Sequence, residues 1–317
     1  MDDMKDLVSI VIPIYNIEDV IIHSLDAVID QTYKNIELIL VDDGSTDHSI
    51  NVAKDYLALR RMDYQVLVQP NRGPSAARNN GIRSAKGEWV LCLDGDDYIL
   101  PHTISTMVQT AKDQDVKCVF CDYKSVDEPS IKICAKKNDG IKMISDDVMR
   151  GLFFNRKLVP ISPGMLLHRS VYEVIQYDED CRYCEDTLFL WELFYHIDRF
   201  VFIYSDLYNY FRREGSTMHS LTPIKYLSSS PRHRFSSEKI QRTFPYDKIA
   251  KMIYPKFRLA GLRIICRNNS YRDFIQTVKM DGGNAYIPCL FKQYNPILFL
   301  YAFVFYISKR LFYLISK

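Results

Sequence analysis

Glu88-Trp89-Val90-Leu91-Cys92-Leu93-Asp94-Gly95-Asp96-Asp97 sets an apolar run directly against three carboxylates within four positions. The apolar half reads as a buried strand and the acidic half as the loop that leaves it. Carboxylates this close repel and raise one another's pKa unless a cation joins them, so the pattern implies a divalent metal on hard oxygen ligands, Mn2+ or Mg2+. Such ions take one or two protein carboxylates and fill the remaining positions with water and substrate phosphates, which points to a diphosphate-bearing ligand.

The same grammar repeats upstream. Val8–Ile12 runs into Pro13-Ile14-Tyr15-Asn16, and Ile36–Val41 runs into Asp42-Asp43-Gly44-Ser45-Thr46-Asp47. With Gln65–Val68, Trp89–Leu93 and Cys118–Cys121 as further strands, and helices expected around 18–31, 46–58, 74–85 and 102–113, residues 7–122 read as βαβ units. The fold class is α/β, with a mainly parallel central sheet flanked by helices. Ligands of such sheets collect at the carboxyl ends of strands, where the three polar clusters stand. Ser45 or Thr46 is explained as a helix N-cap and Gly44 by a tight turn, whereas two successive aspartates at a buried strand end suggest binding. In Asn71-Arg72-Gly73-Pro74-Ser75-Ala76-Ala77-Arg78-Asn79-Asn80-Gly81, Arg72 or Arg78 could pair with phosphate; the alternative is a solvated helix face with Ala76 and Ala77 packed inward.

Composition sets the outer limits. At 317 residues with 47% hydrophobic side chains, the chain can bury one large domain and an appendage. The formal charge of +2 conceals an asymmetry: residues 1–219 carry 24 basic and 35 acidic side chains, residues 220–317 carry 17 and 4. A basic C-terminal third suggests an anionic surface such as phospholipid or nucleic acid. The acidic start Met1-Asp2-Asp3-Met4-Lys5-Asp6 lacks the features of a signal peptide, so a cytoplasmic protein is expected. The eight cysteines are then reduced, buried thiols. Cys118/Cys121 and Cys181/Cys184 have CxxC spacing, yet an offset of three on a strand turns the first pair's sulfurs to opposite faces, which argues against zinc.

Val11-Ile12-Pro13-Ile14-Tyr15-Asn16, Val41-Asp42-Asp43-Gly44-Ser45-Thr46-Asp47, the Gly73–Gly81 loop and Leu93-Asp94-Gly95-Asp96-Asp97, in this order, resemble glycosyltransferase family 2, whose catalytic domain has the GT-A fold. The resemblance covers about residues 7–220 and implies a nucleotide-sugar-binding and catalytic domain over 1–220. It implies that Pro13 and Tyr15 border the nucleotide base, that Asp43 accepts a hydrogen bond from it, and that Arg78, Asp94 and Gly95 help hold the nucleotide. Asp94 and Asp96 look like the family's DxD motif, with Asp96 on the metal and Asp94 on the ribose or a metal-bound water. Asp97 is read as a cap for the next helix. Cys184-Glu185-Asp186 resembles the family's Glu-Asp element, whose aspartate is the general base; negative charge at a helix N-terminus is the plainer explanation. Arg212-Arg213-Glu214-Gly215-Ser216-Thr217-Met218-His219 resembles a loop that closes over the diphosphate, with His219 as a further metal ligand or a solvated loop residue.

The implied reaction is inverting transfer of a single sugar from a nucleoside diphosphate sugar, with uridine the expected base, to a hydroxyl of a glycan or lipid-linked glycan, as in bacterial surface polysaccharide biosynthesis. The implied enzyme is a hexosyl- or N-acetylhexosaminyltransferase. Residues 221–317 form a basic, mainly helical region, in which Lys251–Ile265 is one helix. Its apolar run Pro296–Ile307 is too short for the ~20 residues of a spanning helix and suits one lying at a membrane surface, on the inner face of the cell membrane; a core or oligomer contact is the alternative. No nucleic-acid partner is expected. Acceptor choice falls to loops around 123–165, among them Asn155–Pro160. The rival classes are a nucleotide-sugar-binding scaffold, against which Asp96 and Asp186 stand, and a nucleotidyltransferase, which needs a glycine-rich loop where Pro13-Ile14-Tyr15-Asn16 lies.

Overall fold

The computed structural model describes residues 6–127, 140–158, 160–212, 222–283 and 296–316. The expectations for Met1–Lys5, for the loop from Arg213 to His219, for Val159, and for the parts of the acceptor loops and C-terminal helices at 128–139 and 284–295 lie outside them. The chain divides into two compact units.

The first unit comprises Met1–Met149, Leu158–Glu179 and Phe189–Arg213. Along the chain run β1 (Val8–Ile14), α1 (Ile21–Ile29), β2 (Ile36–Asp42), α2 (Ser49–Arg60), β3 (Gln65–Val68), α3 (Pro74–Ser84), β4 (Trp89–Cys92), β5 (Tyr98–Ile99), α4 (Thr103–Gln114), β6 (Cys118–Val126), β7 (Ile141–Ser145), α5 (Asp146–Phe154), β8 (Met165–His168), α6 (Glu185–His196) and β9 (Arg199–Phe211). Among the described residues the strands form one sheet in the order β3-β2-β1-β4-β8-β6-β9-β5, with β7 on β9. The β3-β2-β1-β4 half is parallel, as the βαβ pattern requires. Beyond it β8 runs antiparallel between β4 and β6, and β5 and β7 antiparallel to β9, so the sheet as a whole is mixed. β1 is buried along nearly its whole length, which is why it reads as an unbroken apolar run rather than an alternation.

α3 lies so close to the sheet that a Cβ at Gly81 would stand 2.3 Å from Val11 Cγ1, so only glycine fits there. Ala76 and Ala77 pack inward as expected, but Arg78 is buried with them. α1 and α2 start about three residues later than their periodicity predicts, because the residues before them lock two loops together. Asp47 accepts from Ser49 N, Ser49 Oγ and Glu18 N; Glu18 accepts from His48 N; and Ile17 N donates to Ser49 Oγ. The carboxylate of Asp47, rather than Ser45 or Thr46, therefore satisfies the first amide of α2.

The second unit comprises Arg150–Lys157, Asp180–Leu188 and Glu214–Lys317. It contains α7 (Pro223–Thr243), α8 (Ile253–Asn268), α9 (Tyr271–Met280), α10 (Pro296–Ile307) and α11 (Lys309–Ser316). Its core is tied by one buried carboxylate. Asp281 accepts from Arg258 Nε, Tyr226 OH at 2.7 Å, Ser230 Oγ at 2.6 Å and Tyr254 OH at 3.2 Å, and Arg258 also reaches Gly283 O. A buried charge persists only when paired and hydrogen-bonded in this way. Phe305 and Phe312 pack on Phe274 of α9, so α10 and α11 each contribute one side to the core. Leu300, Phe303, Tyr306, Ile307, Leu311, Leu314 and Ile315 remain exposed on the other.

Candidate active site

The carboxyl ends of β1, β2 and β4 lie side by side, and their loops are fastened to one another. Asp43 N donates to Ile14 O at 2.9 Å, joining the β2 loop to the end of β1. Gly95 presses on the same strand end: a Cβ there would meet Ile17 Cδ1 at 2.5 Å and Pro13 O at 3.0 Å. Pro13 is tolerated because β4 ends before it, so no ladder partner there needs its missing N–H. Tyr15 projects outward, 47% exposed. Asn16 bends with φ of 50° and accepts from Thr46 N at 2.8 Å.

Asp43 is buried and organises the loop before α3. Its Oδ1 accepts from Gln69 Nε2 and Arg72 N, and its Oδ2 from Gly73 N, each at 2.8 Å. Gly44, at φ of 73°, makes this approach feasible, since a Cβ would stand 2.8 Å from Asn71 N. Asp42 closes the turn by accepting from Ser45 N. A carboxylate offers about four lone-pair sites, so Asp43 keeps one for a further donor.

Arg78 and Asp94 form the centre. Arg78 Nη2 donates to Asp94 Oδ1 at 2.7 Å; the arginine side chain is 4% exposed and the aspartate 26%. Its guanidinium also lies 5.4 Å from the centroid of the Tyr177 ring. Tyr177 is fixed in turn: its N–H donates to Asn79 Oδ1, its hydroxyl meets Ser162 Oγ, and its ring stacks on Phe189 with centroids 4.2 Å apart. Arg78 is thus not a solvated face residue; it is buried and holds Asp94 in place. Arg72, 57% exposed, pairs with Glu179.

The three carboxylates after β4 separate into different roles. Asp94 and Asp96 are half-buried, while Asp97 is fully buried and accepts from Tyr208 OH and Phe211 N. α4 begins only at Thr103, behind His102, so Asp97 is not its cap but a tie to β9. Burial first, then the charges of Asp94 and Asp96, push the Asp97 carboxyl well above the usual range.

Asp186 lies in the second unit, in the first turn of α6 with Glu185, where negative charge suits the helix dipole. Cys184 precedes them with φ of 54°, and burial pushes its thiol up to about 12, so it stays a neutral thiol. Cys118 and Cys121 are likewise buried and held protonated, and only Cys121 belongs to the main core cluster, as opposite faces require. Among the described residues no group of three or more His, Cys, Asp or Glu side chains could hold a metal by itself. The interlocking of Asn16, Glu18, Asp47 and Ser49 was not anticipated from the sequence, although four polar residues clustered at two strand ends were the available signal.

The family model for glycosyl transferase family 2 matches residues 9–175. Glycosyltransferase GlyG of Streptococcus pneumoniae is 31% identical over 225 residues, which cover 68% of this chain and 74% of the relative. Among solved structures, S. aureus TarS 1–349 in complex with UDP-GlcNAc is similar with a TM-score of 0.68 at 19% identity, covering 98% of this chain and 90% of that one. The mannosyltransferase PcManGT from Pyrobaculum calidifontis, in complex with GDP-Man and Mn2+, is similar with a TM-score of 0.57 at 17% identity, covering 98% and 85%. At such identities the structural likeness is one of fold, and it agrees with the mixed sheet and C-terminal helices described above. With more than half of the chain matched by the family model and a relative aligned over about three quarters of its own length, this chain belongs to glycosyltransferase family 2 and has the GT-A fold.

Proposed function

We propose that the protein is an inverting, metal-dependent glycosyltransferase that moves one sugar from a nucleoside diphosphate sugar to a hydroxyl of a glycan or lipid-linked glycan in surface polysaccharide assembly. The observation that carries this reading is the buried Arg78 holding Asp94 beside Asp96 at the end of β4. Asp94, Asp96 and Asp97 stand together here, and burial first, then the charges of Asp94 and Asp96, push the Asp97 carboxyl up. Asp94 and Asp96 are hard oxygen donors that fit Mn2+ or Mg2+, ions that need only one or two protein carboxylates when phosphates complete the shell. When bound, the ion would neutralise charge on the departing diphosphate.

The remaining steps fall to the chain. Tyr15 and Pro13 would border the base, and the spare lone pair of Asp43 would accept one of its N–H groups. Asp186 would take the proton of the acceptor hydroxyl as that oxygen bonds to the anomeric carbon and the carbon–oxygen bond to the diphosphate breaks, its electron pair leaving with the diphosphate. Attack from the face opposite the leaving group inverts the centre. The complex of TarS with UDP-GlcNAc favours a uridine donor, while that of PcManGT with GDP-Man and Mn2+ supports the metal.

No described helix is long and apolar enough to cross a membrane. The exposed apolar residues of α10 and α11, in a region carrying 17 basic and 4 acidic side chains, favour an anionic lipid surface, where the apolar row enters the interface and the cations meet headgroups. A panel of nucleotide sugars, assayed for nucleoside diphosphate release with Mn2+ and after chelation, tests the donor reading: one sugar nucleotide should be consumed only with metal, and equal turnover after chelation would exclude metal dependence.

A further inference from the structure

Two consecutive residues of α3 grip different parts of the first unit. Arg78 holds Asp94 at 2.7 Å. The next residue, Asn79, is also buried and turns its amide to the chain that follows β8. Its Nδ2 donates to Tyr177 O at 2.8 Å, and its Oδ1 accepts from Tyr177 N at 3.0 Å. Both backbone groups of Tyr177 are thus satisfied by one side chain, as a neighbouring strand would satisfy them. Asn79 Nδ2 also donates to Glu179 Oε1 at 3.1 Å, and Glu179 pairs with Arg72 and, at 3.8 Å, with Arg83. The segment Tyr177–Glu179 is therefore pinned along α3 and the loop before it.

The ring of Tyr177 then meets two neighbours. Its centroid lies 4.2 Å from that of Phe189 with the planes 13° apart, a stacked pair. The same centroid lies 5.4 Å from the guanidinium carbon of Arg78, within cation–π reach. Ser162 Oγ, fully buried, fixes the far end of the ring through the phenol hydroxyl. Phe189 belongs to the first unit and stands on α6 three residues after Asp186, less than one helical turn away along the chain. A buried tyrosine among aromatic rings is by itself ordinary core packing. What distinguishes Tyr177 is the identity of its neighbours: the arginine that holds Asp94, and the helix that carries Asp186.

We propose that Tyr177 is a positioning residue for sugar transfer. One ring, fixed to α3 by Asn79, steadies both the guanidinium that orients Asp94 and, through Phe189, the helix that presents Asp186; this rests on the reading of Asp186 as the acceptor's base. A general base works only within hydrogen-bond reach of the proton it takes, so loosening its helix lowers the rate without removing any group from the site. The salt bridge to Asp94 still holds Arg78 when the ring is lost, so the effect falls on turnover more than on nucleotide binding.

The full chain is compared with Tyr177→Leu, Phe189→Leu, Tyr177→Phe and Asp186→Asn, each first shown to melt cooperatively. Three quantities are read: kcat for nucleoside diphosphate release from the sugar nucleotide that the wild type consumes, affinity for UDP with Mn2+, and amide hydrogen exchange across α6. Tyr177→Leu and Phe189→Leu should each lower kcat about tenfold or more while UDP affinity stays within about threefold. Amides in the first turns of α6 should exchange about tenfold faster in both. Tyr177→Phe keeps the ring and should restore kcat to within about threefold of wild type, although it strands Ser162 Oγ and lowers the melting temperature, so turnover and stability separate. Should Tyr177→Leu fail to fold, Phe189→Leu removes the same stack from the other side and decides. Wild-type kcat or unchanged α6 exchange in the folded leucine variants, or a Tyr177→Phe as impaired as Tyr177→Leu, would overturn the proposal. Exchange is read without donor, so the anchoring is tested whatever sugar nucleotide is used. Wild-type turnover by Asp186→Asn would instead overturn the base reading and the positioning role with it, whereas an inactive Asp186→Asn beside fully active leucine variants would overturn the positioning role alone.

Discussion

Arg78 and Asp94 meet at 2.7 Å, with the arginine withdrawn from solvent and the aspartate at its edge. A buried cation thereby fixes one carboxylate oxygen and leaves the other directed by geometry rather than by chance. Removing either partner strands the other. Arg78→Met and Asp94→Asn should each lower the unfolding free energy by about 1–3 kcal/mol, and the double variant should lose less than the sum, with a coupling of about 1–2 kcal/mol. Chemical denaturation of the four proteins measures this, and strict additivity would contradict the pairing.

The neighbouring Asp97 should behave differently from Asp94 and Asp96. It is buried, receives Tyr208 OH and Phe211 N, and is pushed toward its neutral form by burial and by the two charges beside it. Asp97→Asn keeps two polar atoms there and should cost under about 1 kcal/mol, whereas Asp97→Ala should cost about 2–4 kcal/mol by leaving both donors without acceptors. Transfer by Asp97→Asn should stay near wild type, while Asp96→Asn should lose most of it. Thermal unfolding and sugar transfer, measured side by side, check both halves.

Lys256 gives a pH-dependent prediction with a definite sign. Its pKa falls from an ordinary 10.5 to about 8 in the folded chain. Between those values the unfolded chain binds the extra proton, so stability rises with pH there; below about 8 the full cost of the buried charge is present. Lys256→Met should therefore stabilise the fold by about 1–3 kcal/mol at pH 7, and the gain should shrink from pH 8 to 10. Urea unfolding at pH 7 and pH 9.5 reads this; a gain independent of pH would contradict the desolvation account.

For the surface of α10 and α11, co-sedimentation should show binding to phosphatidylglycerol-containing vesicles and little binding to phosphatidylcholine alone. Phe303→Ser with Leu314→Ser removes two exposed side chains and should weaken binding about tenfold or more, at ~25 cal/mol per Å2 of apolar surface withdrawn from water. Unchanged vesicle binding would reassign this face.

The parallel half of the sheet was legible in the sequence because β1, β2 and β4 are buried on both faces and so appear as unbroken apolar runs, each ending in polar residues. The other half was not. β5, β7, β8 and β9 are specified by pairings between distant segments, which no local period records. The same limit explains Asp97, whose partners lie over a hundred residues away and whose helix-cap reading was the local answer to a long-range question. The burial of Arg78 and its pairing with Asp94 were not legible, because nothing in α3 itself shows which side chain lies beside it.

The most direct test of the central claim compares Asp186→Asn with Asp96→Ala in donor binding and in sugar transfer to an acceptor. Asp186→Asn should bind the nucleotide sugar with Mn2+ as wild type does yet lose transfer by about a hundredfold or more, the range of a missing general base, while Asp96→Ala should lose metal-dependent donor binding. Normal transfer by both variants would contradict it.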